Sequence, residues 1–250
     1  MRRIRTAIIG CGKIGHTHAL ALSTLGESEL VDVCDDQLSR VQAFAERYGG
    51  AKALDSVPDM LSSLDVEAVT ICTPHPLHEE PCVQAAKAGA HVLIEKPMAS
   101  SLEACDRMLE AAHKLGIGSQ RRLFEPVQRM KADIDAGKIG TPILGTFSMF
   151  SWRDQAYYEF DPWRGKGATE GGGVLVNQSP HQLDMLQWLM REIDEVSGYR
   201  ANLNHPYIEV LSPVTDSGLS SIDYRQSPAA GDWRRRSNCC RNVYGDLSIK

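Results

Sequence analysis

Gly10, Gly12 and Gly15 in TAIIGCGKIGHTHA stand at the G-x-G-x-x-G spacing that lets backbone N–H groups close on a phosphate. Lys96 in HVLIEKPMA carries an ammonium that can donate to an oxygen gaining negative charge. His181 in GGGVLVNQSPHQLDMLQWLM carries an imidazole that titrates near neutrality and can take a hydroxyl proton. Each signal is unspecific alone: glycines reach this spacing in ordinary turns, a lysine before a proline is commonly a surface residue, and a lone helical histidine is commonly half-exposed or capped. The elements that must position these groups decide what they mean.

The glycine loop follows an apolar run, Thr6 to Ile9, short enough for a buried parallel strand, and precedes Ile14 to Leu25, where apolar residues recur at helical spacing. In that order Gly10 permits the tight turn, Gly12 the approach of a pyrophosphate and Gly15 close helix–strand packing, with first-turn N–H groups facing the anion. A second strand, Leu30 to Cys34, ends at Asp35 and Asp36. Asp35 lies twenty residues beyond Gly15, where an acid accepts hydrogen bonds from an adenosine ribose. An acid there repels a 2′-phosphate, so the expected cofactor is NAD, with NADP disfavoured.

The alternation continues to about residue 120. Helices are expected at 37–48, after Ser56, at 78–88 with Gly89 ending it, and at 101–115 with Ser100 and Glu103 at capping-box spacing. Strands are expected at Lys52–Leu54, Ala68–Cys72, His91–Ile94 and Ile117–Ser119. Such alternation predicts an α/β architecture, a doubly wound parallel sheet of Rossmann type over residues 1–120, with a junction near Gly116, Gly118 and Gln120-Arg121-Arg122. Residues 121–250 form a second domain: a helix at Pro126–Ala136, a turn at Gly137–Pro142, a long strand at Ile143–Trp152, and an aromatic, glycine-rich loop through Gly173.

In this architecture Thr73-Pro74-His75-Pro76-Leu77-His78 and Glu95-Lys96-Pro97 both follow strands and share the carboxyl edge of the sheet with the glycine loop, where ligands bind. Lys96 is expected at the nicotinamide end, donating to a substrate hydroxyl and polarising the carbonyl that forms on oxidation. The segment Asn177–Met190 reads as one helix. At ~100° per residue, Asn177, His181, Asp184 and Trp188 fall in a polar stripe, with Leu183, Leu186, Leu189 and Met190 opposite. Asp184 or Asn177 can orient the His181 ring.

Composition excludes other classes. A chain of 250 residues with 42% hydrophobic content buries a real core, and no stretch approaches the ~20 apolar residues of a spanning helix, so neither a membrane protein nor a secreted one is expected. Seven scattered cysteines without C-x-x-C suit reduced thiols in a cytoplasmic protein. The net charge of -5 argues against a nucleic-acid partner. His16, His18, His75, His78 and His91 suit no compact cage, so no metal is expected. The partner left is a small molecule.

The ordered motifs AIIGCGKIG, Asp35, TPHPLH, EKP, FSW, PWRG and GGGVLVNQSPHQLDMLQW resemble the glucose-fructose oxidoreductase and inositol dehydrogenase (Gfo/Idh/MocA) family of two-domain NAD(P)-dependent oxidoreductases, from about residue 4 to about 210. The resemblance implies that Lys96 and His181 are the catalytic pair, His181 as base. It places Gly10, Gly12, Lys13, Ile14, Gly15, Asp35, Thr73, Pro74, His78, Glu95 and Lys96 along the cofactor, with Trp163 and Arg164 near nicotinamide and substrate. It implies a sugar, sugar-derivative or cyclitol substrate, a homo-oligomer (dimer or tetramer), and a C-terminal α+β domain with a mixed or antiparallel sheet, here incomplete. Two departures stand out. Asn177 occupies a position where many members carry an aspartate. After HPYIEV the text changes character, with Arg234 to Arg236 and the pair Cys239-Cys240, as expected of a truncated or frameshifted product, or of a genuine short form with an exposed sheet edge. The alternative function is accordingly a non-catalytic dinucleotide-binding protein; imine or enone reduction on the same fold is a weaker one.

Overall fold

The computed structural model describes residues 2–62, 66–170, 174–190, 197–200, 205, 208 and 220–223. Two compact units are present, one up to Gly118 and one from Ser119.

The first unit alternates strand and helix: β1 (Ile4–Ile9), α1 (Lys13–Thr24), β2 (Ser28–Cys34), α2 (Leu38–Arg47), β3 (Lys52–Leu54), α3 (Val57–Ser62), β4 (Ala68–Ile71), α4 (Glu79–Lys87), β5 (His91–Ile94), α5 (Leu102–Ala111) and β6 (Leu115–Ile117). The strands form one sheet in the order β3-β2-β1-β4-β5-β6, all parallel. Strand residues point alternately to its two faces. Ala7, Ile9, Val69, Ile71, Val92 and Ile94 pack with Met60, Cys82, Ala85 and Met108 of α3, α4 and α5. Ile8 and Val33 pack on the other face with Ala19, Val41 and Phe44 of α1 and α2. Strands buried on both faces read as the short apolar runs seen in the sequence.

Local chemistry ends the helices. Gly89, at φ 89°, takes the left-handed turn after α4. The Asp59 N–H donates to Ser56 Oγ at 3.3 Å, so Ser56 caps α3 as expected. α5 is capped one residue later than its capping-box spacing suggested: Ser101, not Ser100, accepts from the Ala104 N–H. That puts Glu103 at the second helical position, out of reach of the reciprocal bond. The last strand also runs two residues earlier than expected, ending at Ile117, because its partner β5 ends at Ile94, with which Ile117 pairs.

The second unit contains α6 (Glu125–Asp135), α7 (Gln155–Phe160), α8 (Gly167–Glu170), α9 (Val174–Asn177), α10 (Pro180–Met190) and the antiparallel pair β7 (Ser197–Arg200) and β8 (Ser220–Asp223). The strand expected at Ile143–Trp152 is not formed, and Ile143, Leu144 and Phe150 are exposed. An alternating apolar segment becomes a strand only when a neighbouring strand takes its N–H and C=O groups, and none among the described residues pairs with it. The helix expected over 177–190 is two helices. Pro180 starts the second, and its ring disfavours helical geometry at Ser179. Ser179 O then accepts from the N–H groups of Gln182 and Leu183. VYGDLSIK, Gly171–Gly173 and the cysteine pair lie outside the described residues.

Candidate active site

In the first unit backbone register sets the site. Ile9 pairs with Ile71 and Ile71 with Ile94, so Gly10, Thr73 and Lys96 all lie just past the ends of three adjacent strands. Gly10 has φ 96°, and a Cβ there would stand 2.7 Å from Cys72 C and 2.8 Å from Thr73 N. A Cβ on Gly15 would stand 2.3 Å from Gly10 O. Both glycines are therefore required by packing. Gly12 is not: a Cβ there meets nothing within 4 Å. Gly12 sits at the N-cap of α1, which has no side-chain cap. The first-turn N–H groups of Lys13, Ile14 and Gly15 thus lack the side-chain acceptor that a Ser or Asp would supply, and the space beside them is open. This cradle fits a pyrophosphate.

Asp35, at the end of β2, is buried. Its carboxylate accepts from Cys11 N at 2.8 Å and Gln37 N at 3.0 Å, and Arg40 Nη1 reaches both oxygens at 3.1 and 3.3 Å. The expected ribose acceptor thus also fastens the glycine loop. Asp36 shares a side-chain hydrogen bond with Asp35, which holds its carboxyl above the usual range. Arg40, half-exposed beside the acid, was not singled out in the sequence; an arginine five residues past the ribose acid is its only trace.

Lys96 is placed by its neighbours. The peptide Lys96–Pro97 is cis. Lys96 N–H donates to Glu95 Oε2 at 3.2 Å, and Glu95 Oε1 meets His18 Nε2 on α1 at 2.9 Å. Burial pushes the Glu95 carboxyl up, but the hydrogen bond and charge of His18, with the Lys96 N–H and ammonium, outweigh it and leave it below the usual range. The EKP turn is thereby joined to the helix that carries the glycine loop. His18 was weighed in the sequence as a metal ligand, and its place three residues past Gly15 is the sole signal of this pairing. His78 differs from its expected place lining a ligand. It is 1% exposed, with Nε2 2.8 Å from Thr73 O and Nδ1 3.1 and 3.2 Å from Pro97 O and Met98 O. Its ring ties the two strand exits together. Thr73 Oγ1 closes its own turn on Leu77 O at 3.2 Å, and Pro74 leads the single 3-10 turn His75–Leu77.

The buried thiols of Cys11, Cys34 and Cys82 offer no nucleophile. Burial pushes Cys11 and Cys82 to about 12 and Cys34 to about 11, so each is protonated at neutral pH. Among the described residues no three His, Cys, Asp or Glu side chains could hold a metal ion, and no helix is long and apolar enough to cross a membrane.

In the second unit side-chain clasps set the site. The stripe expected on one helix is divided. His181 and Asp184 lie on α10, one turn apart, while Asn177 ends α9. Asp184, offered as an orienting partner for His181, accepts a two-pronged bond from Arg122 at 2.8 and 2.5 Å. Trp188 lies under the charges of Arg122 and Lys131, at 5.3 and 5.9 Å from the ring centroid. The stripe's lower half therefore packs instead of facing a cleft, and on the face expected to be apolar Leu183 is 50% exposed. Asn177 Nδ2 donates to Glu170 Oε1 at 2.5 Å. Arg164 donates to Asp161 Oδ2 at 2.7 Å and to the Tyr157 hydroxyl, and lies over the Tyr157 and Trp163 rings. It also lines a cavity of about 390 Å³ with Gln155, Tyr158 and Glu159. Arg122 was placed only at the junction and Glu170 was not singled out: no local pattern marks a guanidinium that pairs with a carboxylate 62 residues away, or a carboxylate whose two oxygens each meet a donor.

The comparisons with known proteins agree with this geometry. The model of an oxidoreductase family with an NAD-binding Rossmann fold matches residues 4–118, and the GFO/IDH/MocA C-terminal domain matches residues 127–234. The chain belongs to the GFO/IDH/MocA family. It is 32% identical to the NAD(+)-dependent scyllo-inositol 2-dehydrogenase of Bacillus subtilis (strain 168), over 92% of this chain and 66% of that protein. It is 32% identical to the D-glucoside 3-dehydrogenase of Escherichia coli (strain K12), over 75% of this chain and 54% of that protein. The WlbA dehydrogenase of Bordetella pertussis, solved in complex with NADH and UDP-GlcNAcA, superposes with a TM-score of 0.77 and 34% identity over 84% of this chain and 66% of WlbA. The chain thus spans less than two thirds of the length of these relatives. The GFO/IDH/MocA assignment places an NAD-binding fold where the open cradle at Gly12 and the acid at Asp35 were found.

Proposed function

We infer that this chain transfers hydride between a secondary hydroxyl of a sugar, sugar derivative or cyclitol and the nicotinamide of NAD. The observation that carries this reading is the convergence of the glycine cradle, the Thr73 exit and Lys96 on one sheet edge, with the Lys96 turn anchored through Glu95 and His78. Bound NAD supplies the hydride acceptor. Lys96 donates a hydrogen bond to the substrate oxygen and stabilises the charge that builds on it. His181 takes the hydroxyl proton. With NAD bound, the hydride of the substrate C–H would have its acceptor and the O–H proton would pass to His181, so that the carbonyl product balances. Asn177, an amide, holds a substrate hydroxyl without adding charge to the site. Lys13, Ile14, Asp35, Thr73, Pro74 and Glu95 line the cofactor in this reading, and Trp163 and Arg164 border the substrate. The substrate class is supported by relatives named for inositol and glucoside dehydrogenation and by a neighbour solved with a nucleotide sugar.

Substituting Lys96→Ala or His181→Ala is expected to lower turnover with a polyol panel by about a thousandfold while leaving NAD affinity within about threefold of the wild type. Stopped-flow NADH formation and calorimetric NAD titration measure the two quantities. Wild-type turnover in either variant would remove that residue from the chemistry.

A further inference from the structure

Glu170 is a buried carboxylate that the proposed chemistry leaves unused. It closes α8 at 6% exposure, and its two oxygens serve two different segments. Oε2 accepts from the Gly165 N–H at 2.6 Å, at the end of the Trp163–Gly165 turn, where Gly165 takes φ 69°. Oε1 accepts from Asn177 Nδ2 at 2.5 Å, at the end of α9. Asn177 precedes the two-residue link, Gln178 and Ser179, that leads into α10 and His181. The first residue of that link is held as well: Gln178 meets the Tyr157 hydroxyl and Arg153 Nη2, both at 3.3 Å.

The chemistry of the pair is mutually specified. An ionised carboxylate only accepts, and both Glu170 oxygens face donors. A glutamine at this position would turn its NH2 toward either the Gly165 N–H or the Asn177 NH2. An aspartate in place of Asn177 would press one carboxylate against another, and two like charges at that distance cannot both persist. The acid of Glu170 therefore goes with the amide of Asn177, where the sequence reading noted an unexpected asparagine.

Resting on the active-site reading above, we propose that Glu170 is a positioning residue: by clasping Asn177 and the Gly165 turn together, it fixes the link that aims His181 and the Trp163–Arg164 turn. An amide–carboxylate swap tests this. Glu170→Gln and Asn177→Asp are each expected to lower kcat by about ten- to a hundredfold, with KM for NAD unchanged, because small misplacements of a catalytic group have effects of this size. The double variant Glu170→Gln with Asn177→Asp restores the bond in reverse: the introduced amide donates to the introduced carboxylate, and its carbonyl accepts from Gly165. It is expected to raise kcat at least about fivefold above the Asn177→Asp single variant, the remaining deficit being the amide lost from the substrate side. Thermal midpoints are read alongside. Recovery of the midpoint without recovery of kcat would make the clasp purely structural and overturn the proposal, as would wild-type kcat in both single variants. Retained turnover in Lys96→Ala and His181→Ala would instead retire the active-site reading, and a swap effect confined to melting would then mark Glu170 as a fold clasp only.

Discussion

The two units hold their candidate groups in different ways. In the first, Gly10, Thr73 and Lys96 are delivered by the register of three paired strands, and side chains only trim the result. In the second, His181 rides on a helix whose approach is set by side-chain clasps: Arg122 on Asp184, Glu170 on Asn177, Arg164 on Asp161 and Tyr157. A site set by backbone is sensitive where no side chain fits at all. A site set by clasps is sensitive to the loss of one partner.

The sharpest way to break this contrast is at the glycines. In Gly15→Ala the new Cβ would stand 2.3 Å from the Gly10 carbonyl oxygen, a backbone atom of the tight turn that cannot swing aside as a side chain could. A stability loss of about 3 kcal/mol or more is expected, read as a fall in the urea midpoint. Gly12→Ala meets nothing within 4 Å. Its thermal midpoint should stay within about 2 °C of the wild type, while NAD affinity falls at least about tenfold, since the methyl occupies the room where a pyrophosphate approaches. A Gly15→Ala protein that unfolds with the wild type would end the account of a packing-required glycine.

The clasp side of the comparison is tested at Arg122. Its side chain is 14% exposed and that of Asp184 is 15% exposed, so Arg122→Ala leaves a largely buried carboxylate without its main partner. The expected loss is about 2–3 kcal/mol, short of a fully buried pair because some solvent remains. Arg122→Lys recovers only part of it, because an ammonium cannot make the two-pronged bond. Equal midpoints for wild type and Arg122→Ala would show that α10 is held by its apolar residues alone.

The same contrast explains what could be read from the sequence. The glycine loop, the caps at Ser56 and Gly89, and Lys96 at the end of β5 were legible because turn chemistry and strand period act over a few residues. Helix 177–190 misread because apolar spacing runs on through Pro180, whereas backbone geometry does not. Strand 143–152 misread because alternation states what a segment would do given a partner, and the partner is a tertiary fact. Arg122–Asp184 spans 62 residues and His18–Glu95 spans 77, and no local pattern records such pairs. Glu170 was hidden for a different reason: its partners Gly165 and Asn177 are only five and seven residues away, but no recurring spacing marks such a clasp.

His78 is a buried clasp within the first unit, and its titration gives the smallest expected effect. Burial, only partly offset by the carbonyls of Thr73, Met98 and Pro97, holds its pKa below the usual 6.5. The unfolded chain therefore takes up this proton at a higher pH than the folded one. Stability is flat above pH 6.5 and falls as pH drops below it, by at most about 1.4 kcal/mol per pH unit. Glu95 acts in the same direction but lower, because a carboxyl held below its usual range keeps its contribution until the pH falls into the carboxylate range. The interval from pH 6.5 to 5.5 thus isolates histidine. His16 contributes there too, lowered by burial and then by the charge of Arg47. Urea midpoints at pH 7.5, 6.5 and 5.5 should fall over the last interval in the wild type and fall less in His78→Gln, which keeps a donor for one carbonyl without titrating. An equal fall in both would assign the slope to His16 and leave the joint between the Thr73 and Lys96 exits independent of the charge on His78.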